Sequence, residues 1–304
     1  MATALEPAPA ALAAGQRLYL KREDEHELGA FKWRGALPVL EGYRAAGAST
    51  VDTASTGNHG GATAWAAARL GLEAVVFVPE HASATKLARI EELGAEIRPA
   101  GADLDEAKEL GLAEARRLGF PFFEDGAEPA QYDGYAVIGE EILAQLQEPP
   151  AAVVVPVGNG ALLGGVARAV LAGSPETLRI GVVAAGAPVM ADSFEAGRPV
   201  PGDSPDTFAD GMAVRVAIPY AVEVLNQVAT RMVRVSEREL AQAVGAFAEA
   251  GIRVEGAGAA GLAALPHLPA EIDKSGPIVL VVTGRNIDED LHEQARNQLQ
   301  AFSA

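Results

Sequence analysis

The sequence predicts an α/β protein with mainly parallel strands, and three observations carry that expectation. Short β-branched or apolar runs alternate with Ala/Leu/Glu-rich stretches of helical spacing almost from end to end. Several of those stretches open after Ser, Asp or Asn and close before Gly, as capped helices do. The chain has 304 residues, 49% of them hydrophobic and 21% charged, enough for two packed lobes around a large core.

The elements follow in order. Residues 17–21 read as a first strand, and 50–54 and 73–78 as strands on either side of an Ala-rich helix at 58–71. Helical spacing at 83–93, a short strand at 95–98 and a helix at 104–118 ending before Gly119 come next, then helical spacing at 137–147. The apolar run 151–157 ends at Gly158 and leads into a helix at 161–173, followed by a strand at 178–185. The turn-rich stretch 186–211 holds one short helical candidate, at 190–196, and its recurring hydrophobic residues mark an ordered excursion over a site rather than a linker. Strand 230–235, helix 236–251, strand 277–283 and helix 288–300 complete the pattern. No internal repeat is present, and low complexity is confined to the Ala-rich first fifteen residues.

Composition excludes several classes of function. A formal charge of −17 and the lack of any Lys/Arg run argue against a nucleic-acid partner, which needs a basic face. With no cysteine, disulfides, thiolate metal sites and cysteine nucleophiles are excluded, and the five histidines show no ligand-like spacing. The N-terminus lacks the positive region and apolar core of a signal peptide, and no apolar run is long enough to span a bilayer, so no membrane partner and a cytoplasmic location are expected.

Four segments bear chemistry. Lys32 lies between Phe31 and Trp33 in a chain poor in aromatics; it either opens a solvated helix or is a lysine held against apolar rings as a nucleophile. Ala54-Ser55-Thr56-Gly57-Asn58-His59-Gly60-Gly61 joins a strand to a helix, and is either an ordinary N-cap or an anion site suited to a carboxylate. Val157-Gly158-Asn159-Gly160-Ala161-Leu162 is a second strand-to-helix turn, whose spacing suits a phosphate monoester better than a dinucleotide. Val282-Thr283-Gly284-Arg285-Asn286 ends the last strand, where Thr283 is either a capping residue or a hydrogen-bond partner for a ring nitrogen.

In this order, the four segments resemble the fold type II pyridoxal-phosphate enzymes, the tryptophan synthase β-like group. The likeness is greatest to their threonine/serine dehydratase and serine racemase branch, and it runs from about Leu18 to about Ile287. It implies two three-layer αβα domains with mainly parallel sheets and pyridoxal 5'-phosphate in the cleft between them. Residues 1–46 plus 131–304 would form a large cofactor-binding domain, and 47–130 a small domain for the substrate carboxylate. Lys32, in a Phe-Lys-x-Arg-Gly-Ala motif, would bond covalently to the cofactor's aldehyde, with Phe31 beside it. Ser55, Thr56, Asn58 and His59 would receive the substrate carboxylate, Asn58 also touching the cofactor's phenolic oxygen. Gly158, Asn159, Gly160, Ala161 and Leu162 would hold the phosphate, Glu255 would lie beside the ring, and Thr283 would bond the pyridine nitrogen. The segment Phe208–Val214 also resembles a family segment.

The activity implied is deaminating dehydration of threonine, serine or another 3-hydroxyamino acid, with Lys32 as base for the α-proton. A homodimer acting on a small amino acid is the expected assembly. Thr56 stands where the racemases carry a serine, which leaves racemisation open as a second activity. A threonine synthase-like replacement enzyme and a non-catalytic cofactor-binding protein are the alternatives. Asn159 and Ala161 interrupt what is usually a four-glycine phosphate loop, and Gly134-Tyr135-Ala136-Val137 replaces a usual Gly-Gln-Gly-Thr, so the substrate's side chain stays open around Tyr135. Arg285 occupies a commonly small position, as a surface residue or as a partner for an acidic or extended substrate. Gly186 replaces the Glu of metal-activated members, so no strong metal site is expected although Asp192 remains.

Overall fold

The computed structural model describes residues 2–13, 15–270, 272 and 275–304, with Thr85 and Lys86 described by backbone alone. In chain order its strands are β1 (Leu5–Pro7), β2 (Leu18–Arg22), β3 (Thr50–Ala54), β4 (Glu73–Val78), β5 (Glu96–Pro99), β6 (Ala152–Pro156), β7 (Leu178–Ala184), β8 (Arg231–Val235) and β9 (Ile278–Val282). The helices are α1 (Ala10–Ala13), α2 (Trp33–Ala45), α3 (Asn58–Leu70), α4 (Ala84–Glu92), α5 (Leu104–Leu118), α6 (Pro129–Gln145), α7 (Ala161–Gly173), α8 (Val189–Ala196), α9 (Pro219–Val228), α10 (Glu237–Glu249), α11 (Gly256–Ala263) and α12 (Glu289–Asn297). Two compact units result: Met1–Phe31 with Tyr135–Ala304, and Lys32–Gly134. The division thus falls before α2 rather than after residue 46, because α2 packs on α3, and inside α6 rather than after residue 130.

The first unit is built on a six-stranded sheet in the order β1-β2-β9-β6-β7-β8, parallel except for β1. All five residues of β6 and of β9 are buried, which is why their sequences are unbroken apolar runs. On one face Val154, Ile180, Val182, Leu280 and Val282 pack with Leu240, Val244 and Phe247 of α10 and Ala259 and Ala260 of α11. On the other, α7 covers β6 and β7. Each fully buried Val, Leu or Ile contributes roughly 1.5–3 kcal/mol, so this two-sided burial holds the strand ends firmly. From β6 the chain moves outward to β7 and β8, then returns to place β9 on the opposite side of β6. The strand order reverses at the β6–β9 pair, and ligands of such sheets bind at the carboxyl ends of strands where that happens. At the sheet's edge, fully buried Lys21 is matched by Glu141 at 2.5 Å and by the Thr3 carbonyl at 2.8 Å.

The second unit carries the parallel sheet β3-β4-β5. Helix α3 lies against β3 and β4, and α5 packs on the same two strands around Val75, Phe77 and Ala107. One residue fits badly. Asp52, in register with Val75, is 1% exposed, and neither carboxylate oxygen has a hydrogen-bond partner among the described residues. Burial pushes its pKa up to about 6; the Arg98 guanidinium opposes that, but Arg98 is itself bonded to Glu96 and Glu114, which push the other way. The unfolded carboxyl titrates near ~3.9, so the folded form binds the extra proton between the two values. Stability from this residue is present below that window and is lost as pH rises through 6. Asp52→Asn is therefore expected to flatten the fall in melting temperature between pH 5 and 7 and to stabilise the protein at pH 7 by about 1–2 kcal/mol, measured by thermal unfolding.

Each predicted strand is present, and several helices differ from expectation. Helix α2 contains Pro38, a residue that reads as a breaker; the Arg34 carbonyl it leaves without an intrahelical donor lies against Gly134, where a Cβ would stand 2.0 Å away. Helix α11 holds Gly256, Gly258 and Gly261, which propensity disfavours, and tertiary packing requires them: a Cβ on Gly258 would meet the Gly284 carbonyl at 2.4 Å. Helix α6 begins at Pro129, eight residues before the expected start at 137, with proline at its first position. Helix α9 likewise begins on a proline, Pro219. Strand β1 lies in the low-complexity N-terminus, paired antiparallel with β2. Among the described residues no helix is long and apolar enough to cross a membrane.

Candidate active site

In the first unit the site residues gather where β6 and β9 end. Val154 stands opposite Leu280, so the turn Gly158–Gly160 and Thr283 leave the same end of neighbouring strands. Gly160 has φ +94°, a left-handed conformation that favours glycine, and a Cβ on Gly158 would lie 2.3 Å from the Gly211 carbonyl. The turn thus runs backbone to backbone against Gly211, in the 208–214 segment. No hydrogen bond among the described residues engages the N–H groups of Gly158, Asn159 or Gly160, whereas the Ala161 N–H donates to Asn159 Oδ1 at 3.1 Å. These donors sit at the positive end of the 13-residue α7 and suit a phosphate.

Thr283 supplies the complementary group. It is 2% exposed, and its Oγ1 has no hydrogen-bond partner among the described residues. A buried hydroxyl left so is costly unless something bonds it, and a ring nitrogen would. Around it, the Phe31 N–H donates to the Thr283 carbonyl at 3.1 Å, and the Phe31 ring packs on Tyr135 with centroids 5.1 Å apart. The Glu255 carboxylate lies across Gly284, where a Cβ would stand 2.6 Å from Oε1. Arg285 is exposed, its side chain crossing Gly29. Away from this edge, Asp192 is bonded to Arg234 at 2.7 Å, as is Glu195. Among the described residues no group of three His, Asp or Glu could hold a metal.

The second unit carries the remaining residues. Lys32 caps α2, whose Gly35 and Ala36 N–H groups donate to its carbonyl. Its Nζ donates to Asp125 Oδ2 at 2.5 Å. Burial works to raise the Asp125 pKa, but the Lys32 charge and the hydrogen bonds from Lys32 and Gln131 hold that carboxyl well below the usual carboxylate range. Asp125 and Gln131, which donates to Asp125 Oδ1 at 2.6 Å, stand beside Lys32 and are candidate residues that sequence reasoning missed. No sequence pattern marked them: Glu124-Asp125 follows a strand-like end, as the other segments do, but that end is a single parallel bridge of Phe122 with Asp52 of β3.

The turn before α3 is shaped by Ser55, whose Oγ accepts from the Gly57 N–H at 3.1 Å, with Thr56 half-buried beside it. The first intrahelical bond runs from Gly61 to Gly57, and the N–H groups of His59 and Gly60 have no acceptor among the described residues. Asn58 is the helix's first residue. The His59 ring is not part of that row of donors. It is buried beneath the turn, with Nε2 3.0 Å from Thr53 Oγ1 and 3.2 Å from the Phe123 carbonyl. The Thr53 hydroxyl donates to Phe123, so the ring hydrogen sits on Nε2, and burial lowers the His59 pKa and keeps the ring neutral. What His59 presents to an anion is its backbone N–H.

In the first unit, the N–H groups of Gly158–Gly160, with no cation among them, and the Thr283 hydroxyl, unbonded among the described residues, leave the same end of neighbouring strands and suit a phosphorylated aromatic ring. That makes this α/β protein a cofactor-dependent enzyme. Residues 2–284 match the family described as pyridoxal-phosphate dependent enzyme, and the chain belongs to it. The L-threonine ammonia-lyase of Thermotoga maritima is 34% identical over 290 residues, 93% of this chain and 71% of the relative's length. Among solved structures, the processed form of threonine deaminase isoform 2 from Solanum lycopersicum has a TM-score of 0.90 at 30% identity, covering 98% of this chain and 87% of that one. Maize serine racemase has a TM-score of 0.89 at 25% identity, covering 98% and 92%. The chain stands in the fold type II threonine/serine dehydratase and serine racemase branch, and its cofactor is pyridoxal 5'-phosphate.

Proposed function

We propose that the protein is a lyase that eliminates water from L-threonine, L-serine or a related 3-hydroxyamino acid; the enamine released takes a water back as it hydrolyses, giving a 2-oxo acid and ammonia. The observation that carries this is the neutral, unpartnered Thr283 hydroxyl at the end of β9. The cofactor, when bound, supplies a conjugated ring that accepts the electrons released at Cα. A threonine hydroxyl gives that ring a hydrogen bond but no formal charge, which favours prompt loss of a β-substituent over transamination. Lys32 takes the α-proton as general base. The N–H groups at the start of α3, with Ser55 and Thr56, hold the substrate carboxylate, and those of Gly158, Asn159 and Gly160 hold the phosphate. The names of the threonine ammonia-lyase and threonine deaminase relatives support the substrate class.

Release of ammonia and 2-oxo acid across a panel of amino acids tests this. Production from threonine or serine is expected; none from any hydroxyamino acid would overturn it. Appearance of the D-isomer in the same assays would add a racemase activity, with Thr56 as the group to substitute. The absent cysteines accord with a reducing, cytoplasmic compartment and the branch with a homodimer, and molar mass in solution by light scattering checks the dimer.

A further inference from the structure

Asp125 is held more firmly than a surface carboxylate needs to be. The Phe123 N–H donates to the Asp52 carbonyl at 2.7 Å, which fixes the 121–126 stretch along β3. The Gly126 N–H donates to Gln131 Oε1 at 2.7 Å, and the Tyr132 hydroxyl to the Gly126 carbonyl at 2.8 Å. Gln131 then turns its amide N–H onto Asp125 Oδ1, leaving Oδ2 for the Lys32 ammonium. On the far side, the bare Nδ1 of His59 lies 3.7 Å from Oδ1, too far to bond it. Both oxygens are therefore assigned: one to a neutral amide that sets the plane, one to the amine.

The chemistry gives that arrangement a purpose. When Lys32 removes the α-proton, the Cα–H bond breaks, a bond forms from that hydrogen to Nζ, and the amine becomes an ammonium. That ammonium is the species Asp125 grips. A carboxylate beside Nζ stabilises the protonated amine more than the neutral one, so its benefit grows along the proton transfer, and only such differential interactions accelerate a step. We propose that Asp125, oriented by Gln131, is the positioning residue and charge partner of Lys32, aiming Nζ and compensating the charge it acquires. This rests on the reading of Lys32 as the base.

Two measurements test it. In cofactor-free protein, Lys32→Met, Asp125→Asn and the double variant form a thermal-unfolding cycle. Each single change breaks the ion pair between two partly buried groups and should lower the melting temperature by about 3–6 °C, while the double variant should recover most of that loss. In the loaded enzyme, Asp125→Asn should lower kcat on the order of 10²-fold with KM changed far less, and Asp125→Glu should restore part of the loss. Additive melting shifts, or an Asp125→Asn enzyme with wild-type kcat, would overturn the proposal. A Lys32→Met enzyme with wild-type turnover would instead remove the reading of Lys32 as base, so the two failures are distinguishable.

Discussion

Lys32→Ala is expected to abolish turnover, lowering kcat on the order of 10⁴-fold or more, and to remove the visible absorbance of lysine-bound cofactor. A positioned general base contributes about 10²–10⁴-fold by itself, and in the proposed function this lysine is also the covalent anchor. The substitution has a second consequence: it leaves Asp125, held in place by Gln131, as a half-buried carboxylate without its cation. Some loss of melting temperature will accompany the loss of activity. The double variant Lys32→Ala with Asp125→Asn separates the two, because it should recover stability without recovering turnover.

Gly158→Ala is expected to weaken cofactor binding about 10–100-fold, read by titrating apo-protein with pyridoxal 5'-phosphate, which corresponds to roughly 1.4–2.8 kcal/mol. The added Cβ would lie 2.3 Å from the Gly211 carbonyl, so the turn or the 208–214 segment must move. Either movement disturbs the N–H groups that we propose hold the phosphate. Lys32 is untouched, so turnover at saturating cofactor should fall much less than affinity does. A variant that binds as tightly as wild type would mean that the phosphate is held elsewhere.

The parallel sheets were legible in the sequence because strands buried on both faces must be apolar throughout, as β6 and β9 are. The glycine turn and Thr283 stood out as candidates for a related reason: in such sheets the ligand meets strand ends, and Gly158 and Thr283 follow closely on those runs. Helices α2 and α11 were not, since Pro38 and the α11 glycines contradict local propensity and are tolerated only through contacts with Gly134 and Gly284. The partnership of Lys32 with Asp125 spans 93 positions and carries no spacing signature. It would have been reachable only by reading Phe122-Phe123 as a strand end, which the single bridge to Asp52 makes too short to recognise by pattern. His59 shows the converse: its motif was visible, but the direction of its ring is decided by Thr53 and Phe123.

Borohydride reduction of the loaded protein, followed by peptide mapping, tests the central claim most directly, because it fixes the cofactor's carbon to whichever amine carries it. The label is predicted on the peptide containing Lys32. A label on Lys21, Lys86, Lys108 or Lys274, or on no lysine of a protein that binds the cofactor, would contradict the account.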